Sequence, residues 1–206
     1  MDEKTRTIIE QAHKLFMRNG IKSMTMDDVA TQLHMSKKTL YEHFTDKNDL
    51  VAKAVKLTSA QQRLRIDAIC KQGHNAIDEL MEINLFVAGM VGQMHPSIHF
   101  DLEKYHPEAF RHLISNKQKE IHDCMVKNMR KGIKERLYRD DINVSILARI
   151  YISRFDMCFD GELFPPHEHP FAEVLWEQYR YHIRGIASKK GLEYLEKKVK
   201  KERVTA

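Results

Sequence analysis

The chain lacks the short patterns that mark the common enzyme classes. There is no glycine-rich phosphate loop, no HExxH helix, no nucleophile elbow and no spaced cysteine set. Serine, histidine and acidic residues are abundant, but no spacing draws a catalytic triad together. Cysteine is scarce: Cys70, Cys124 and Cys158 are far apart, odd in number and without a CxxC pair. That argues against a disulfide framework and for reduced thiols in a cytoplasm. Long apolar runs are missing too. The best, Ile83 to Met94, is about half of what a membrane-spanning helix requires. With no signal-peptide pattern at the start, the expected location is the cytoplasm, with no membrane partner. The 8 glycines and 5 prolines are clustered, and no stretch alternates apolar and polar residues as a half-buried strand does. An all-α protein is expected.

Histidine is plentiful, at 12 residues. His95 and His99 stand at i and i+4, but Pro96 interrupts the turn between them. His167 and His169 flank Glu168 in a proline-rich loop without an obvious third ligand. Neither pair builds a metal site, and no cofactor is expected. The net charge of +5 is no guide to a polyanionic partner, because the 8 basic residues among the first fifty are cancelled by 8 acidic ones. The excess lies between 101 and 150, where 11 oppose 8, and reads as solvated helix surface. Placement of charge, rather than its total, carries any argument for nucleic acid.

The segment LHMSKKTLYEHF, residues 33 to 44, concentrates polar chemistry on a short helix. Ser36 is an N-cap. From there, Leu40 and Phe44 share one face at i and i+4, and that face is buried. Lys38, Thr39 and Glu42 lie opposite, Tyr41 and His43 on the flanks, and Lys37 in the exposed first turn. Two lysines at a helix N-terminus oppose its dipole, a conflict that an external anion would remove. The plainer alternative is a solvated face. Just upstream, Thr25 is a second N-cap with Asp28 in the acidic capping position, and Val29, Ala30 and Leu33 form an apolar stripe. A break at His34 and Met35 then separates two short helices, as in a helix-turn-helix. Ile8, Ile9, Ala12, Leu15 and Phe16 supply a third, amphipathic helix that Gly20 ends.

The run from Ile8 to Leu50, with its "LF...G", "T.DDVA" and "S..TLY.HF..K..L" spacings, resembles the N-terminal DNA-binding domain of the TetR family of bacterial transcriptional regulators. The stretches "DLEKYHPEAF" and "LYRDDINVSILARI" also resemble the C-terminal domain of many members. The resemblance implies a helix-turn-helix domain over residues 1–50 and a helical ligand-binding and dimerisation domain over 51–206. It implies base contacts from Lys37, Lys38 and Tyr41, and phosphate contacts from Thr25, Thr39, His43 and Lys47, with Ser36 at the helix start in the same DNA-binding set. Lys38 stands where the family often has a small residue.

Beyond residue 50, helices are predicted from an Asp46 cap to about Lys71, from Ala76 to Gln93, from Ile98 to Lys104 and from Pro107 to about Leu137. Asp141 or Asn143 caps another that carries Ile146, Ile150, Phe155 and Phe159. After "FPPHEHP" a further helix carries Val174, Leu175, Tyr179, His182 and Ile186. In the family the last two long helices form a four-helix dimer interface, which would place Ile150, Phe155, Phe159, Leu175, Tyr179 and Ile186 between subunits; the alternative is that they complete the core of one chain. "LEYLEKKVKKERVTA" reads as a solvated, lysine-rich terminal helix. Phe86, Met90 and Met94, with Phe100, Tyr105, Phe110, Met125 and Met129, are expected to line an apolar ligand cavity. Eleven methionines suit an adaptable pocket, though such a stripe also describes ordinary core.

The reading is thus an all-α homodimer that binds a double-stranded, palindromic operator, most simply a repressor released by a small apolar or amphipathic effector, and not an enzyme. A second reading keeps the DNA binding but assigns a structural or protein-partnered role without an inducer. A third makes the chain a small-molecule-binding or enzymatic helical protein whose N-terminal part contacts proteins.

Overall fold

A computed structural model describes residues 1–205, with side chains described through residue 198. Among the described residues the secondary structure is helical: α1 (Glu3–Asn19), α2 (Met26–Gln32), α3 (Lys37–His43), α4 (Lys47–Cys70), α5 (Ala76–Gly92), α6 (Ile98–Tyr105), α7 (Pro107–Lys134), α8 (Val144–Met157), α9 (Phe171–Ile186) and α10 (Lys189–Thr205). The sole β feature among them is an isolated antiparallel bridge between Tyr138 and Ala187. The expected lysine-rich terminal helix is α10; its side chains from 199 onward lie outside the described residues.

The chain divides into two compact units. One comprises Met1–Arg65 with Gln93–Lys117, the other Ile66–Gly92 with the chain from Gln118 onward. Residues 1 to 50 lie wholly in the first unit, which also takes in the first part of α4, all of α6 and the start of α7.

Local chemistry explains the ends of the helices in the first unit. Asp2 caps α1, accepting from the Thr5 N–H at 2.9 Å and the Thr5 hydroxyl at 2.6 Å. Thr25 and Asp28 form a reciprocal capping box at the start of α2. That helix ends in a Schellman motif: the Met35 N–H reaches Ala30 O at 3.0 Å and the His34 N–H reaches Thr31 O at 3.1 Å. His34, at φ 53°, occupies the left-handed position. Histidine is among the non-glycine residues that tolerate it, so the break predicted at His34 and Met35 is a defined turn. Ser36 then caps α3 by accepting from the Thr39 N–H at 3.0 Å, and Asp46 accepts from the Asp49 N–H at 2.8 Å before α4.

The core of this unit draws Ile8, Ile9, Ala12 and Phe16 from α1, Val29 and Ala30 from α2, Leu40 from α3, Leu50, Val51 and Ala54 from α4, and Ile98 and Leu102 from α6. Helix α6 is also tied down by polar bonds. Asp101, 3% exposed, accepts from the Ile21 N–H and the Lys22 N–H, both at 2.9 Å, and from the Ser97 hydroxyl at 3.0 Å. The His95 N–H donates to Met17 O at 2.7 Å. Gly20, at φ 82°, is required where α1 ends, because a Cβ there would lie 2.8 Å from Ser97 Oγ.

In the second unit α9 packs on α5 and α8. The core joins Ile77, Leu80 and Met81 of α5, Met125 and Met129 of α7, Tyr151 and Phe155 of α8, and Leu175, Tyr179, Ile183 and Ile186 of α9. Asn143 rather than Asp141 caps α8, accepting from the Ile146 N–H at 3.1 Å.

Asp101→Asn places an amide N–H₂ or a weaker neutral acceptor against donors that now meet a carboxylate. It is expected to destabilise the protein by about 2 kcal/mol in chemical denaturation; wild-type stability would show that these bonds are dispensable. The Asp2 cap is sensitive to acid. Its bonds from the Thr5 hydroxyl, and then from the Thr5 amide, lower its pKa from 3.8 to about 2. A depressed folded-state pKa stabilises above the unfolded value and ceases to do so as pH falls through the folded one. Amides in the first turn of α1 are therefore expected to keep their protection from hydrogen exchange down to pH near 2, and an NMR titration of Asp2 with a midpoint near 4 would contradict this.

Candidate DNA-binding face

The face begins with what α3 hides. Leu40 is fully buried and so is Phe44 just beyond the helix, which fixes the rotation of α3 about its axis. The other side chains have no choice of direction. Lys37, Lys38, Tyr41 and Glu42 are exposed, and Thr39 and His43 are half-buried at the flanks. The inward pair and the outward Lys37, Lys38 and Glu42 are as predicted, whereas Thr39, expected opposite the buried face, is half-buried, and Tyr41, expected on a flank, is exposed.

Several of these groups are held by neighbours. The Lys37 ammonium lies 2.8 Å from the Asp27 carboxylate of α2, and both side chains are exposed. The hydrogen bond to Asp27, followed by its charge, raises the Lys37 pKa. Lys37 also sits 6.0 Å from the centroid of the Tyr41 ring, which is 44% exposed. Asp27 thus supplies part of the negative charge that two lysines at a helix N-terminus lack, and a surface pair of this kind is weak enough to exchange for a phosphate. At the foot of the same helix the Ser36 and Thr39 hydroxyls are 2.8 Å apart. Thr25 is engaged with Asp28, its hydroxyl 2.6 Å from the carboxylate. This hydroxyl and then the Thr25 backbone lower the Asp28 pKa.

His43 and Lys47 are placed differently from free phosphate ligands. The Thr5 hydroxyl has one proton, and it donates to the acceptor-only carboxylate of Asp2. The His43 Nδ1, 2.7 Å from Thr5 Oγ1, must then carry the hydrogen of that bond. The neutral ring consequently presents Nε2 as an acceptor, and donates from it only when protonated. The Lys47 ammonium donates to Lys22 O at 3.4 Å, and burial lowers its pKa, against the opposing charges of Asp101 and Asp28.

The eight residues predicted to line a ligand cavity divide between the two units. Met125 and Met129 are fully buried core residues of the second unit, where Phe86 and Met90 are half-buried. Met94 and Phe110 pack against the core of the first unit, where Tyr105 is half-buried and Phe100 is 53% exposed. Among the predicted interface residues, Phe155, Leu175, Tyr179 and Ile186 are buried in the core of a single chain. Their apolar surface is already covered, so they are core, with half-buried Phe159 packed against them. Ile150 is exposed. The exposed large hydrophobic residues on these two helices are Ile146, Ile150 and Met157 of α8 and Tyr181 of α9.

Asp27, Asp2 with Thr5, and Asp101 support the face and were not singled out in the sequence. The pairing of Asp27 with Lys37 spans ten residues across the turn, and the contacts of Thr5 with His43 and of Asp101 with Ile21 are longer-range still. Asp2 with Thr5 is a local cap, but no local spacing announces these three meetings.

Residues 8–54 match the family model described as bacterial regulatory proteins, tetR family. A helix-turn-helix transcriptional regulator of Bacillus subtilis (strain 168), YvaF, is 23% identical over 82% of this chain and 88% of its own length. One from Staphylococcus aureus (strain USA300) is 44% identical over 23% of this chain, a match that spans 26% of that relative. Among solved structures, a TetR-family regulator from Agrobacterium tumefaciens superposes with a TM-score of 0.70 at 16% identity, covering 90% of this chain and 98% of the other. The ketosteroid transcriptional regulator KstR2 of Mycobacterium tuberculosis superposes at 0.57 and 17% identity, covering 92% and 97%. These structural likenesses establish the fold, while the family match falls on the very segment that builds the α3 face. Residues 8–54 thus match the helix-turn-helix segment of the tetR family of bacterial regulatory proteins, and the relatives and the fold together support a DNA-binding transcriptional regulator of that type.

Proposed function

We propose that the protein acts in the cytoplasm as a homodimeric repressor, bound to a palindromic operator and released by a small, mainly apolar effector held in the second unit. The observation that carries the reading is the fixed rotation of α3: Leu40 points wholly inward, and Lys37, Lys38 and Tyr41 are exposed. Those three side chains read base edges in the major groove, while Ser36, Thr39 and Thr25 meet the flanking phosphates. His43 keeps its bond to Thr5 and can donate to a phosphate only from Nε2 of the protonated ring, whereas Lys47 has N–H donors beyond the one given to the Lys22 carbonyl.

One recognition helix covers few base pairs, and two-fold symmetry doubles the site. Ile146, Ile150, Met157 and Tyr181 form the apolar surface through which a second copy joins. Release by an effector is favoured by the likeness of fold to a ketosteroid regulator. Helix α4 starts directly after α3 in sequence and contributes residues to both units, which makes it the covalent route for coupling. A coupling of about 1 to 3 kcal/mol suffices to change operator affinity roughly 5- to 150-fold.

Selection from a random duplex pool is expected to return inverted repeats whose half-sites are about one helical turn apart. On that sequence the double variant Lys37→Ala, Tyr41→Phe is expected to bind at least about tenfold more weakly with unchanged melting, since neither side chain fills the core. Equal binding by variant and wild type would remove α3 from the interface. Ile150→Glu is expected to give folded monomers in analytical ultracentrifugation, because the carboxylate would be buried unpaired only when two copies meet. Phe155→Glu, by contrast, should unfold the second unit. An Ile150→Glu chain that remains dimeric would move the interface to another surface.

A further inference from the structure

Buried polar atoms in folded chains almost always have partners, and one side of the second unit follows that rule closely. Asn128 donates to Ala76 O at 2.8 Å and to Glu79 Oε1 at 2.9 Å, and accepts from the Tyr138 hydroxyl at 3.1 Å. Lys131 neutralises Glu79 at 2.6 Å, and the Tyr179 hydroxyl donates to Ile77 O at 3.2 Å.

The side formed by α5, α8 and α9 breaks the rule three times. Asn84 Oδ1, Gln178 Nε2 and His182 Nε2 are shielded from solvent and have no hydrogen-bond partner among the described residues. The three are neighbours. Gln178 and His182 are one turn apart on α9, the His182 ring meets the Tyr151 ring edge-on with centroids 4.8 Å apart, and the Tyr151 hydroxyl, whose pKa burial raises, is close enough to the Asn84 side chain to be influenced by it in the opposite sense. Cys158 lies 3.8 Å from Gln178 Oε1.

The chemistry of each orphaned atom is settled by the bonds its side chain already makes. Asn84, 4% exposed, spends an amide hydrogen on Leu80 O at 3.0 Å, and its free atom is an acceptor. The Gln178 oxygen faces the Cys158 thiol, and its free atom is a donor. Burial first, and the charge of Arg154 second, lower the His182 pKa to about 4. The ring is therefore neutral at pH 7, and Nε2 donates or accepts according to its tautomer. Val87 of α5, Phe159 and Trp176 of α9 are among the half-buried apolar residues packed on the same core.

We propose that Asn84, Gln178 and His182, brought together by α5, α8 and α9, form the polar end of an effector site whose ligand is an uncharged, largely hydrocarbon molecule bearing one hydroxyl. A hydroxyl donates to Asn84 Oδ1 and accepts from Gln178 or His182. A carboxylate would leave water for amides and a neutral imidazole, with the acceptor of Asn84 turned against it. The proposal rests on the effector reading given above and names the place and chemistry of that site.

Trp176 is the single tryptophan of the chain; it stacks on Tyr179 with centroids 5.3 Å apart and lies two residues before Gln178, so its fluorescence reports on this region. The full-length protein is titrated with 4-tert-butylcyclohexanol, with the parent hydrocarbon tert-butylcyclohexane and with 4-tert-butylcyclohexanecarboxylate. The alcohol is expected to give a saturable fluorescence change and a higher melting temperature, binding at least about tenfold more tightly than the other two, the worth of one satisfied buried hydrogen bond. In the double variant Gln178→Met, His182→Phe the chain is expected to melt at or above the wild-type temperature, having lost two unpaired buried atoms, and the preference for the alcohol should shrink to within about twofold.

A saturable response to none of the three probes overturns the site. So does a variant that melts several degrees lower, because the two side chains would then be holding internal bonds or structural water. An alcohol preference that survives in the variant also overturns it, but leaves an effector bound elsewhere. If the alcohol binds as described and its affinity is the same with and without operator, the site stands and release by an effector fails.

Discussion

Asp101 reaches back across 80 residues of sequence to the amide of Ile21, and to that of Lys22 beside it, where the chain leaves α1 and turns towards α2. A buried amide without a partner costs about 1 to 3 kcal/mol, and the turn carries two in succession that the helices do not satisfy. One carboxylate takes both, and Ser97 adds a third donor to it. The exit of α1 is fixed as a result, and with it the point from which α2 and α3 are built. Gly20 belongs to the same constraint, since the Ser97 hydroxyl occupies the space that a Cβ would need. The unit that presents α3 is for this reason more than three helices. Without Ile98, Leu102 and Asp101 of α6, its core would be open and its first turn unpaired.

On that base the face proposed to meet DNA is a consequence of burial. Leu40 and Phe44 set the rotation, and the polar residues follow. What the face gains from its surroundings is restraint: Asp27 restrains Lys37, the Asp2–Thr5 pair restrains His43, and the Lys22 carbonyl restrains Lys47. On the proposed reading, each restraint would shorten the search that a long side chain otherwise makes on meeting DNA. Those on exposed Lys37 and the long bond of Lys47 are weak, that on the half-buried His43 less readily exchanged.

The second unit shows two treatments of buried polarity. Around Asn128 and Glu79 every group finds a partner, and the network locks α5 to α7. Between α5, α8 and α9 one atom each of Asn84, Gln178 and His182 has no hydrogen-bond partner among the described residues. A chain that satisfies one cluster so fully is capable of satisfying the other. The difference between the clusters is therefore informative about what the second is for.

Sequence alone determined what depends on neighbours three or four residues apart. The caps at Thr25, Ser36 and Asp46, the turn at His34 and the inward pair Leu40 and Phe44 were all legible, because a helix places i, i+3 and i+4 together whatever surrounds it, while the cap of α8 was narrowed only to Asp141 or Asn143. The helix boundaries followed to within a few residues, and the identity of the DNA-binding segment followed from their order. Tertiary structure decided everything that concerns which surface meets which. Periodicity shows that Phe155, Tyr179 and Ile186 lie on an apolar face, but an apolar face looks the same whether its own chain or a second copy covers it; these three are buried within one chain, while Ile150 is exposed. The methionines and aromatic residues predicted to form one cavity divide between two units for the same reason. Asp101, Thr5 with His43, and the unpaired atoms of Asn84, Gln178 and His182 depend on contacts between helices distant in sequence, and no local pattern encodes such a meeting.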